Sequence, residues 1–129
     1  WHRRLARLAH EHGKLFLFHS CGQVYDLMDD LIDDVGIDAK HSFEDAVLPV
    51  TEAKRRYGDR MTLMGGVDVD LLARGDEATV RARTRELLDV CVPGGGFFLG
   101  SGNWVTNYVP VANYLRMLDE ARRWPERAP

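Results

Sequence analysis

His19 and Cys21 stand one residue apart in His19-Ser20-Cys21-Gly22, directly after the apolar run Leu15 to Phe18. Where a strand runs into a loop, residues i and i+2 project to the same side, so the imidazole and the thiol can both reach one ion. Nitrogen with sulfur suits zinc, and zinc lowers the pKa of a bound thiol. His41 or Glu44, from the cluster His41-Ser42-Phe43-Glu44, could complete such a site. The competing reading has His19 hydrogen-bonded to substrate or backbone and Cys21 simply packed. The other thiol, Cys91, lies between Val90 and Val92 at a predicted helix end, the setting of a small buried hydrophobe.

Two further clusters follow apolar runs. Gly65-Gly66-Val67-Asp68 comes after Met61 to Met64, and Gly100-Ser101-Gly102-Asn103 after Phe97 to Leu99. Asp68 fits equally a ligand contact at a strand end and an amino-terminal helix cap, and Asp45 shares that ambiguity. Trp104 and Tyr108 could stack on a flat macrocycle or serve packing. His2, His10 and His12 read as surface residues of the first helix, and His10 and His12 lack the i, i+4 spacing of a helical metal pair. Gly94-Gly95-Gly96 precedes a strand, which suits a flexible turn better than a phosphate cradle.

The elements that must carry these residues alternate in type. A helix is predicted over 1–12, with Leu5, Leu8 and Ala9 on its apolar face and Gly13 as its stop, followed by a buried strand at 14–18. A helix over 23–35 places Val24, Leu27, Met28, Leu31 and Ile32 on one stripe and the run Asp29, Asp30, Asp33, Asp34 on a solvated face. A strand at 37–39, a helix at 49–57, a strand at 61–64, a helical turn at 69–73 and a helix at 78–90 come next. The last helix directs Val80, Thr84, Leu87 and Leu88 inward. A strand at 97–99 and a helix over 111–124, with Tyr114, Leu115, Leu118 and Ala121 on one side and Pro125 as its stop, complete the pattern. Strands separated by helices must run parallel, so all four clusters emerge on one side of an α/β sheet.

Composition narrows the field. The chain has 129 residues, 45% apolar and 29% charged, as expected for one globular domain spanning 1–129. Seventeen basic residues interspersed with twenty acidic ones give a net charge of -3, which argues against a nucleic-acid partner. No apolar stretch approaches the ~20 residues needed to span a bilayer. The sequence opens directly into a helical pattern without a signal peptide, and two distant cysteines suggest no disulfide framework, so a cytoplasmic location is expected.

Three segments in order resemble the carboxyl-terminal half of the uroporphyrinogen decarboxylase superfamily. They are Phe18-His19-Ser20-Cys21-Gly22, then 55–68 with Arg60-Met61-Thr62-Leu63-Met64-Gly65-Gly66-Val67-Asp68, then Gly94-Gly95-Gly96-Phe97-Phe98-Leu99-Gly100-Ser101-Gly102. The resemblance implies a (β/α)8 barrel, of which about four consecutive βα units are present. Half a barrel exposes two sheet edges and an apolar flank, which predicts either a homo-oligomer or a missing amino-terminal half. The resemblance further implies one of two activities: decarboxylation of the acetate arms of uroporphyrinogen, or zinc-assisted methyl transfer from a corrinoid protein to a thiol such as coenzyme M. It points to His19, Cys21 and Asp68 as catalytic residues, with His19 and Cys21 as zinc ligands. His41, Glu44, Gly65, Gly66, Ser101 and Asn103 are its substrate-binding candidates. The similar methyltransferases would carry a third zinc ligand, cysteine, where this chain has Asn103. The decarboxylase tends to carry a histidine in that loop, so Asn103 departs from both patterns. A non-catalytic half-barrel that binds a tetrapyrrole or assembles with a partner is the reading of a different class.

Overall fold

Every predicted strand forms, and each ends further along the chain than its apolar run. In the computed structural model, which describes residues 1–124, β1 is Leu17–His19, β2 Ala39–His41, β3 Thr62–Val67 and β4 Phe97–Ser101. The predicted stop at Pro125 lies outside the described residues. All four strands are parallel, in the order β1-β2-β3-β4. The strands outrun the apolar runs because backbone pairing is indifferent to side-chain polarity. Ser20 N still donates to the His41 carbonyl at 3.0 Å, and Gly102 N to that of Val67 at 2.6 Å. The residues expected in loops are therefore held on the sheet. His19, His41, Met64 and Phe98 form one rung across it.

Among the described residues, five α-helices accompany the strands: α1 His2–Glu11, α2 Val50–Tyr57, α3 Val69–Arg74, α4 Glu77–Cys91 and α5 Val111–Arg123. The core joins β3 to α2 and α4, which pack on it, and reaches α5 through α4: Leu63 and Val67 of β3 share one cluster with Val50, Ala53, Val80, Leu87 and Met117. Helix α4 follows the sequence expectation, with Val80, Thr84, Leu87 and Leu88 all buried. Asp76 caps it by accepting from Thr79 N at 2.8 Å. Helices α4 and α5 are joined by Arg81, which pairs with Asp119 at 2.7 Å and with the buried Glu120 at 3.2 Å.

Four expectations are corrected. The segment 23–35 is not a regular α-helix but a 3₁₀ turn at Tyr25–Leu27 followed by a π-helical turn at Asp30–Val35. Its widened loop closes where Gly36, at φ 80°, donates its N–H to the Leu31 carbonyl five residues back. This geometry buries Met28 and Leu31, exposes Leu27, and turns Asp29 and Asp33 toward Arg60 at 2.6 and 2.7 Å. The acidic run is thus partly ion-paired. Strand β1 is not buried, because it is a sheet edge: Leu15 and Leu17 are 72% and 54% exposed. Helix α1 buries Ala6 and leaves Leu5 and Leu8 exposed, since it leans on the π-helical turn. It is tied to the sheet instead by His10 Nε2, 2.7 Å from an Asp38 oxygen that also accepts from Phe16 N. In α5 the predicted stripe holds in part: Tyr114 and Leu118 pack against the core half-buried, but the fully enclosed residues are Asn113, Met117 and Glu120, and Leu115 faces out.

Among the described residues, no helix is long and apolar enough to cross a membrane. Leu87 touches the α2–β3 core and has no exposed surface. Leu87→Ala should lower the unfolding free energy by about 2–5 kcal/mol in chemical denaturation of the intact protein. A loss well below that range would mean the α4–sheet interface is not the main core.

Candidate active site

Backbone geometry at the strand ends collects the chemistry-bearing residues. His19 ends β1, and Cys21 follows after Ser20, whose N–H still pairs with the His41 carbonyl. The Cys21 sulfur lies 3.6 Å from His19 Nε2. His41 ends β2 directly opposite His19, with the two Nδ1 atoms 2.8 Å apart. From β4, the Ser101 carbonyl stands 3.2 Å from His41 Nε2. Asn103 reaches across from the following loop, donating from Nδ2 to the Cys21 sulfur at 3.1 Å. Ser42 Oγ donates to the same sulfur at 3.7 Å. Residues as far apart as 19 and 103 thus form one contiguous cluster.

The remaining candidates divide. Asp68 lines a cleft of about 340 Å³ together with Phe43, Glu44, Asn103, Trp104 and Tyr108. Both of its oxygens are engaged by backbone: Oδ1 accepts from Asp70 N at 2.7 Å as the cap of α3, and Oδ2 from Asp45 N at 3.0 Å. Asp68 therefore joins two loops while bordering the cleft. Asp45 takes a bidentate contact from Arg83 at 2.8 and 2.9 Å. Burial raises the Asp45 carboxyl above its usual range despite that guanidinium. Gly65 lies beneath the His41 ring, whereas Gly66 lies against Val50 and Leu87 of the core, away from the cleft. Asn103 belongs to both the cluster and the cleft.

Three contributors were not legible in the sequence. Ser42 was passed over beside two stronger candidates. Thr106 lines the cleft with a buried hydroxyl that has no hydrogen-bond partner among the described residues. Lys40 is 1% exposed, yet its Nζ donates to the carbonyls of Ser42 at 2.5 Å and Ser20 at 3.3 Å, over the Phe43 ring at 4.5 Å. It fastens the loops after β1 and β2 to each other. A lysine in a three-residue strand carries no advance sign of burial.

Electrostatics follow from these enclosures. Burial pushes the Lys40 amine down to about 8, against the pull of Cys21 and Glu44. Burial also lowers His41, with His19 and Lys40 adding to the effect. Desolvation lifts the Cys91 thiol to about 11, and its full burial fits the expected small hydrophobe.

Zinc can be tested against this geometry. Two tetrahedral zinc ligands, nitrogen at ~2.0 Å and sulfur at ~2.3 Å from the metal, stand roughly 3.5 Å apart. The 3.6 Å between His19 Nε2 and Cys21 Sγ matches two corners of such a site. No group of three or more His, Cys, Asp or Glu among the described residues is arranged to hold a metal. Asn103, where the resemblance places a third ligand, instead offers its amide N–H to the sulfur.

Two outcomes test these assignments. After chelator treatment, a thiol reagent should modify one cysteine quickly, the exposed Cys21, and reach the buried Cys91 only on unfolding. Two fast thiols would contradict the packing of α4. For Lys40, the folded pKa near 8 lies below the 10.5 of a free lysine amine, so the unfolded state binds more protons between those values. Stability should therefore rise with pH through that window, and Lys40→Met should abolish the rise. Equal slopes for the two proteins in pH-resolved denaturation would refute the burial of the amine.

A uroporphyrinogen decarboxylase from Cupriavidus necator is 33% identical over 84 residues, covering 61% of this chain and 22% of that protein. A methyltransferase from Methanosarcina mazei matches the fold with a TM-score of 0.77 at 22% identity, covering 96% of this chain and 35% of that one. The chain thus spans about a fifth of the length of the first and a third of the second, and the second likeness speaks to fold alone. The family model described as uroporphyrinogen decarboxylase (URO-D) matches residues 1–124, and the chain belongs to that family.

Proposed function

We propose that this chain carries the thiol-handling side of an active site that transfers a methyl group from a corrinoid protein to a small thiol. The observation that carries the reading is the 3.6 Å approach of His19 Nε2 to the Cys21 sulfur, at ligand spacing on an open strand end. His19 and Cys21 would hold a zinc ion, which when bound lowers the pKa of a substrate thiol. The protein's own groups prepare that position. Asn103 and Ser42 aim donors at the Cys21 sulfur, and Lys40 pins both loops. The adjoining cleft presents Phe43, Trp104 and Tyr108 as apolar surface and Glu44 and Asp68 as carboxylates. Among the described residues, no lysine or arginine lines it, so this wall offers little to a substrate with many carboxylates. In the transfer, the substrate sulfur's electron pair forms the carbon–sulfur bond. The carbon–cobalt bond breaks with its pair left on cobalt, and the thiol proton passes to solvent.

Decarboxylation of uroporphyrinogen is the second reading, favoured by the curated relative that shares 33% identity. In that case the cleft would contact the macrocycle through its aromatic side chains, and cationic groups would have to come from elsewhere in the assembled protein.

Metal analysis and product analysis separate the two. Intact protein should retain close to one zinc per chain, Cys21→Ala and His19→Ala should lose it, and methylated corrinoid protein with coenzyme M should yield the methyl thioether. A metal-free wild type that releases carbon dioxide from uroporphyrinogen would replace the first reading with the second.

A further inference from the structure

We infer that His41 is a positioning residue that fixes the tautomer of His19, leaving His19 Nε2 without a proton and facing Cys21. The contacts of two neutral rings permit one assignment. A backbone carbonyl can only accept, so the 3.2 Å contact between His41 Nε2 and the Ser101 oxygen places hydrogen on Nε2. A neutral imidazole has a single N–H, which makes His41 Nδ1 an acceptor. Its partner at 2.8 Å, His19 Nδ1, must then donate. His19 in turn presents a lone pair at Nε2, 3.6 Å from the sulfur.

The sheet is cut to let this relay pass. His41 lies on β2 and Ser101 on β4, so the ring must cross β3. It crosses at Gly65, where an added Cβ would stand 2.6 Å from the Ser101 oxygen and 2.9 Å from His41 Cδ2. Gly65 also has φ +104°, a conformation that side chains resist. The first residue of the double glycine therefore serves the histidine rather than a substrate.

A chemical consequence follows at sulfur. Asn103 Nδ2 and Ser42 Oγ each bring a hydrogen to Cys21 Sγ, whereas His19 Nε2 brings none. Nitrogen and sulfur thus share a single proton at the spot where a metal ion would replace it. His41, with both ring nitrogens engaged, is not a further ligand but the group that orients one. The metal consequence rests on the proposed function, while the tautomer does not.

The test uses the intact protein with ¹⁵N-labelled histidine, treated with chelator, and reads ring nitrogen shifts at a pH where the rings are neutral. The wild type should show His19 protonated at Nδ1 and bare at Nε2. His41→Phe and Gly65→Ala should each shift His19 toward the Nε2-protonated form, and His41→Gln, which keeps an acceptor, should partly restore the original. A wild-type His19 protonated at Nε2, or a tautomer unchanged in both disrupting variants, overturns the inference. The wild-type spectrum decides even if His41→Phe does not fold. On readdition of zinc, His41→Phe should bind about 10–100-fold more weakly than wild type. Zinc binding unaltered by His41→Phe also counts against the positioning role. A wild type that takes up no zinc but shows the expected tautomer sinks the methyl-transfer reading alone.

Discussion

Parallel pairing in a fixed register is the constraint on which the site depends. Because β1 to β4 align in sequence order, the residues ending each strand come to one side, and His19, His41, Met64 and Phe98 share a rung. A slip of one residue in β2 would send His41 to the other face and place Lys40 opposite His19. Pairing of the first strand with the second, and of the second with the third, is thus the origin of the imidazole pair. It requires no affinity between the side chains themselves.

That register is reinforced beyond the strands. Ser20 N bonds to the His41 carbonyl, Phe43 N to that of Gly102 at 2.8 Å, and Gly102 N to that of Val67. The segments that follow β1, β2 and β4 are therefore connected to one another or to the sheet by backbone. Gly102 is glycine because the Phe43 carbonyl occupies the space a side chain would need. Lys40 adds a cationic clasp between the first two loops, at the expense of burying an amine. Loops fixed in this way can present a thiol and an amide with less entropy to lose on ligand binding than free segments would have.

The sequence revealed the parts whose cause is local. Alternating apolar runs and amphipathic windows identified all four strands and placed α4 with its buried face, since periodicity there is set by one dominant core contact. The His19–Cys21 pair was legible because two-residue spacing is geometry in itself. Other features depended on tertiary surroundings. Hydrophobicity alone predicts burial for Leu5, Leu8, Leu15 and Leu17, but the elements carrying them lie at the sheet edge, where the described chain offers them no cover. The turn over 30–35 kept an apolar stripe yet widened to π geometry, which a 3.6-residue period cannot foretell. The acceptor that anchors His41 is the backbone carbonyl of Ser101, a group every residue possesses. Only the three-dimensional crossing at Gly65 singles it out.

Asn103 departs from the patterns that the resemblance implies, and its geometry gives that departure a physical meaning. A cysteine there would bring a second negatively charged sulfur, whereas the amide brings a hydrogen-bond donor to the sulfur already present. Such a bond withdraws charge from Cys21, and one thiolate neutralises a dication less than two would. Under the methyl-transfer reading, a metal held here would keep more positive charge and act more strongly on a bound thiol, while being held less tightly. The same amide accepts from Trp104 N at 2.8 Å through its oxygen, so its orientation is set by the loop that borders the cleft.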